Sequence, residues 1–150
     1  MPTNLSVRFL WLPAIALVSL LTSGAVPCAA ADDCVIIVNK ANPLDSMSEA
    51  DVRKLFLGEK AAWPDGTKAI PITPTSDKPE YGPAIKKTTG MSGADLKRYF
   101  IQLSFLGKAV SPPKTLDSSA SIAKFVSASR GAISCVPAAD AGPTVKILKN

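Results

Sequence analysis

Thr75, Ser76 and Asp77 stand in a row just ahead of a helical stretch, and they are the residues best placed to hold a ligand. Free N–H groups and the helix dipole at such a position attract anions. Pro79 subtracts one N–H donor from that set, and a plain polar turn is the simpler alternative. The rest of the inventory excludes more than it offers. The chain has no histidine, which removes the Ser-His-Asp and Cys-His arrangements and makes a zinc site implausible. It contains no GxxxxGK or GxGxxG run, so the usual nucleotide-cradling loops are missing. Asp45, Glu49 and Asp51 cluster, but two of them suit a helix start, where acids stabilise the fold without any chemistry. Trp63, Tyr99 and Phe100 could stack on a ligand; Trp63 as a turn anchor packed on the Phe56 face is the more economical reading. No catalytic group, cofactor or metal is expected.

The elements that must position these residues can be read from periodicity. Val35 to Asn39 is a short apolar run of the buried-strand kind. A helix follows, with Ser48 as its N-cap and Asp51 in its first turn. Val52, Leu55 and Phe56 make its apolar face, and Gly58 takes the left-handed stop. Trp63-Pro64-Asp65-Gly66 is a turn. A strand at 69–72 leads to a polar loop at 73–79, then a short helix over 80–89 closed by Gly90. A third helix starts at Ser92, carries Leu96, Tyr99, Phe100 and Leu103 on one face, and ends at Gly107. Met91 to Asp95 echoes Met47 to Asp51, which shared capping chemistry explains more simply than duplication. An extended connector at 110–114 precedes a fourth helix at 119–129, a strand at 132–136, a loop at 137–143 and a last strand at 145–148. Strands and helices interleave, so the class is α/β, with a central sheet flanked by helices.

Residues 1–31 read as a signal peptide: Arg8, an apolar stretch from Phe9 to Leu21, then Cys28-Ala29-Ala30-Ala31 as a small-residue cleavage region. Cleavage after Ala30 or Ala31 fits best; lipidation of Cys28 is disfavoured by Pro27. The apolar stretch is too short to span a bilayer comfortably, so no stable membrane span is expected after cleavage. The remaining domain, 32–150, is one core's worth of chain. The leader carries Arg8 and no acid, so the 17 basic and 12 acidic residues of the whole chain become 16 and 12, a net charge of +4. The lysines are scattered, and the dense basic footprint of a nucleic-acid binder is absent. Cleavage would also leave two cysteines, Cys34 and Cys135. In an exported chain an even pair favours a disulfide over two buried thiols. It would close a loop of about 100 residues, for which the chain-entropy argument gives roughly 4–5 kcal/mol.

The series IIVNKANPLDSMSEADVRKLFLGEKAAWPDG resembles the phosphate ABC transporter substrate-binding family, with its strand ending in Asn, its Asn-Pro, its Phe-x-Gly and its Trp turn. Pro112-Pro113 after the second Phe-Leu-Gly and the closing Gly131-Ala132-Ile133-Ser134-Cys135-Val136 are similar to the same family, over about Val35 to Val136. Ser134 and Cys135 replace Gly and Tyr of the family pattern. The resemblance implies a periplasmic-binding-protein-like lobe in which the Cys34 and Cys135 strands share one lobe. It implies phosphate or a related oxyanion as ligand and an ABC permease or another protein as partner. The family's Arg-Ser-Asp and Ser-Gly-Thr at the phosphate-holding helix start are matched only by Ser76-Asp77, followed by Lys78-Pro79-Glu80-Tyr81-Gly82. The resemblance also implies two lobes closing over the ligand, and this chain is long enough for one; an oligomer or a membrane partner would have to supply the other wall. The alternative is a secreted interaction or sensory module with the same lobe and no small ligand. A secreted enzyme is disfavoured by the missing histidine and nucleophile motif.

Overall fold

The computed structural model describes residues 34–150. The expected signal peptide, its cleavage site and Cys28 lie outside the described residues. The elements in chain order are β1 (Cys34–Asn39), α1 (Glu49–Phe56), β2 (Ile70–Pro74), α2 (Tyr81–Thr89), α3 (Gly93–Phe105), β3 (Lys114–Leu116), α4 (Ser119–Ala128), β4 (Ala132–Pro137), a single 3-10 turn (Ala138–Asp140) and β5 (Val145–Ile147).

Apolar alternation sets the layers. Ile36 and Val38 of β1 and Ile133 and Cys135 of β4 face one side of the sheet, where Val52, Leu55, Phe56, Trp63 and Ala84 close over them. Ile37, Ala132 and Val136 face the other side and meet Ile122 and Val126 of α4. The sheet therefore lies between an α1–α2 layer and α4. Its strand order is β3-β2-β4-β1-β5. β2 runs parallel to both β3 and β4, whereas β1 runs antiparallel to β4 and β5. α3 packs outside the sheet layers: Leu96 and Phe100 join Leu57 and Ile85 in a third, smaller core.

The local chemistry follows the expected rules. The Ser48 and Ser92 hydroxyls each accept from the backbone N–H three residues on, at 3.2 Å, and each donates to that residue's carboxylate. The echo between the two helix starts is thus a shared cap. Gly58, Gly90 and Gly107 all take positive φ after helix ends. The indole N–H of Trp63 donates to the Gly131 carbonyl at 3.0 Å, and the ring is buried beside Phe56. A Cβ at Gly131 would collide with the Lys68 carbonyl oxygen, so only glycine allows this close approach. The Asn39 side-chain amide donates to the Val126 and Ser127 carbonyls, tying β1 to the end of α4. Cys34 and Cys135 form a disulfide, with Cα atoms 5.8 Å apart. The register sets Cys135 opposite Ile36, so the two cysteines are diagonal neighbours on one face.

The structure differs from the sequence expectation in three places. β2 runs on to Pro74, two residues into the expected loop, because Thr73 and Pro74 are buried against β3. β3 was expected only as an extended connector; its three residues are an exposed edge strand held by pairing with β2. The loop at 137–143 holds the 3-10 turn.

Candidate functional site

An open cleft of about 730 Å³ runs between the β2–β3 edge of the sheet and α3. Its sheet wall carries the Thr73 and Thr115 hydroxyls, and Thr75 and Ser76 form its lip. The opposite wall is the first three turns of α3: Gly93, Ala94, Lys97, Phe100, Ile101 and Ser104. Pro112 and Pro113 close one end and the Tyr81 ring lies against Gly93 at the other. Phe100 is buried and holds its wall in place, braced edge-on by Tyr99 with ring centres 5.3 Å apart. Burial, with Glu59 nearby, raises the Tyr99 phenol above its usual range, consistent with a structural ring.

Of the expected ligand residues, Thr75 and Ser76 line this cleft and Asp77 does not. The Asp77 carboxylate is exposed and lies 3.5 Å from Lys78. The Thr75 hydroxyl, its own backbone N–H and Lys78 hold it below the ordinary carboxylate range. The row also stands further from helix α2 than the sequence suggests, since α2 begins at Tyr81 and Glu80 occupies its cap position without a capping hydrogen bond. Two carboxylates therefore flank the lip. Each repels an anion, which limits the affinity the hydroxyls can supply.

Chemically, the cleft offers hydroxyls on its strand wall and one ammonium, Lys97, on α3, where the Ser104 hydroxyl already donates to the Phe100 carbonyl at 3.0 Å. That set suits a small oxyanion held by hydroxyl donors and one charge, or a polar organic solute whose carbon skeleton lies on Phe100 and Ile101. It provides no nucleophile–base pair, and no group of His, Cys, Asp and Glu with metal-holding geometry occurs among the described residues. Lys97, Thr115 and Ser104 escaped the sequence reading; Lys97 alone left a signal, the four-residue spacing of Gly93, Lys97 and Ile101 along one helix face. A second, smaller depression between α1 and α2 is more cationic, with Arg53, Lys86 and Lys87 against Glu49, but it offers no hydroxyl.

No protein family matches this chain, and no curated protein matches it either. Solved structures do. A phosphate ABC transporter substrate-binding protein from Clostridium perfringens with bound phosphate superposes at a TM-score of 0.61 and 13% identity, over 78% of this chain and 44% of that one. An ABC-type phosphate transport receptor from Vibrio cholerae superposes at 0.54 and 14%, over 78% and 45%. The fold is a periplasmic-binding-protein-like lobe. At these identities the likeness carries the fold alone, and the chain spans less than half the length of either matched structure. No helix among the described residues is long and apolar enough to cross a membrane, and the disulfide fits an oxidising compartment.

Proposed function

We propose that residues 32–150, exported behind a cleaved leader at 1–31, are a solute-binding lobe that takes phosphate or a related oxyanion. The ligand sits in the cleft bounded by Thr75, Ser76 and Lys97, and an ABC permease or another protein receives it. The observation that carries this reading is the cleft itself: hydroxyls on the β2–β3 side faced by one ammonium on α3. Likeness in fold to a phosphate-bound receptor supports it. Asp77 stands outside the lining of the cleft.

The test is a thermal-shift titration of the oxidised protein with phosphate, sulfate and related oxyanions. Binding to the native state stabilises it by about 2.7 kcal/mol at a hundredfold excess over Kd, so a saturable rise in Tm with one anion is expected. Ser76→Ala and Lys97→Ala should weaken that response, and Lys86→Ala, in the α1–α2 depression, should leave it unchanged. The reverse order would move the site to the second depression. A flat response to every anion on folded protein would refute the anion reading.

One observation favours the second reading, a secreted interaction module without a small ligand. Phe105 and Leu106 at the end of α3 are 88% and 71% exposed, more apolar surface in one place than scattered surface residues provide.

A further inference from the structure

Four large apolar side chains stand exposed among the described residues, and three of them, Ile101, Phe105 and Leu106, lie together at the end of α3. Lys97, Ile101 and Phe105 recur every four residues, which makes them one ridge along the helix. Lys97 and Ile101 also line the cleft, so the apolar ridge and the cleft mouth form one continuous surface. Charge is unevenly spread along the ridge. The cations of α3, Lys97 and Arg98, sit towards the helix N-terminus; the last turn carries no basic residue, and the next one, Lys108, follows past Gly107. Arg98 is tied to Asp95 at 3.1 Å, which leaves Lys97 as the freer cation.

We propose that a second copy of this chain docks on this ridge, α3 against α3 and antiparallel, about a two-fold axis near Ile101. The two copies thereby cover each other's clefts. An isologous contact needs a self-complementary patch, and this ridge is one. Antiparallel packing about Ile101 sets Lys97 of each copy over Phe105 and the carbonyl end of α3 in the other. An aromatic face and a helix C-terminus both attract a cation. A parallel arrangement would stack Lys97 on Lys97. Ridges of four-residue spacing interdigitate at about 50°, so Ile101 packs at the centre and the Phe105 rings flank it. The knob-and-cleft relief suits a shaped partner and not the flat surface of a bilayer. The covering role rests on the reading of the cleft as a solute site; the docking itself does not.

Sedimentation velocity over a wide concentration range, on the chain purified as the cell makes it, tests the docking. A reversible dimer is expected. Phe105→Glu should weaken association by more than about tenfold, as loss of a buried aromatic anchor does, and Phe105→Trp should retain it. Both substitutions lie on the surface, so circular dichroism should show an unchanged fold. A monomer at every concentration, or a dimer indifferent to Phe105→Glu, overturns the proposal. So does a monomer that binds anionic vesicles through the same residues. Repeating the phosphate titration on Phe105→Glu separates the two ideas. If the monomer responds as tightly as the wild type, the covering role fails and the anion reading stands. If neither protein responds, the anion reading fails, and sedimentation alone decides the dimer.

Discussion

Trp63 offers the sharpest test of how the lobe is held together. The residue is 3% exposed and packs into the core with Phe56, while its indole N–H donates to the Gly131 carbonyl at 3.0 Å. That carbonyl also accepts from the Ile70 N–H at 2.9 Å. Trp63→Phe keeps most of the apolar contact and removes one hydrogen bond, and the carbonyl keeps its other partner. The expected cost is therefore that of one net hydrogen bond plus a small void, about 1–2 kcal/mol. Trp63→Ala empties the site and should cost about 3–5 kcal/mol. At roughly 4 °C per kcal/mol for a domain of this size, the two variants should melt about 4–8 °C and 12–20 °C below the wild type. Urea unfolding followed by far-ultraviolet circular dichroism measures both without relying on the fluorophore that is removed. Equal losses in the two variants would show that the hydrogen bond, not the packing, is what matters. A loss below about 1 kcal/mol for Trp63→Ala would refute the placement of this ring in the core.

Other expectations follow from the same geometry. Replacing both Cys34 and Cys135 by Ala should lower stability by about 4–5 kcal/mol, the chain-entropy value for a closed loop of this length, and thiol labelling of the unreduced, denatured wild type should find neither cysteine reactive. Asp51, Asp65 and Asp77 all titrate below the usual carboxylate range, held first by the Ser48 hydroxyl, the Thr67 backbone N–H and the Thr75 hydroxyl respectively. A depressed carboxylate contributes stability that is complete above its unfolded pKa of about 3.9 and fades as pH falls through the folded value. Tm should therefore drop on acidification below about pH 4, and the triple Asp→Asn variant should show a shallower acid limb in a pH series of melts.

The fold was legible where local and global signals agree. The apolar runs of β1 and β4 and the serine caps of α1 and α3 each point to one conformation, and the structure has them there. β3 was not legible, because Lys114, Thr115 and Leu116 carry no buried alternation; an edge strand of three residues exists only through its neighbour. The candidate site was half legible for the same reason. Thr75 and Ser76 announce themselves as a polar row before a helix. Lys97 and Ser104 look like surface residues of α3 until Leu96 and Phe100 dock that helix on Leu57 and Ile85 and swing the polar side towards Thr73. Tertiary docking of one helix on another leaves no mark in the polar residues it brings together.

The strand order has a consequence in time. β1 lies inside the sheet, yet both of its partners, β4 and β5, come from residues 132–147. A chain emerging from the ribosome in order holds Cys34 to Asn39 with no strand to pair with until about a hundred residues more have appeared. Contacts that distant in sequence slow folding, and unpaired apolar strands invite aggregation meanwhile. The topology thus delays completion of the sheet until synthesis is nearly done. Until then β1 can pair with nothing in its own chain.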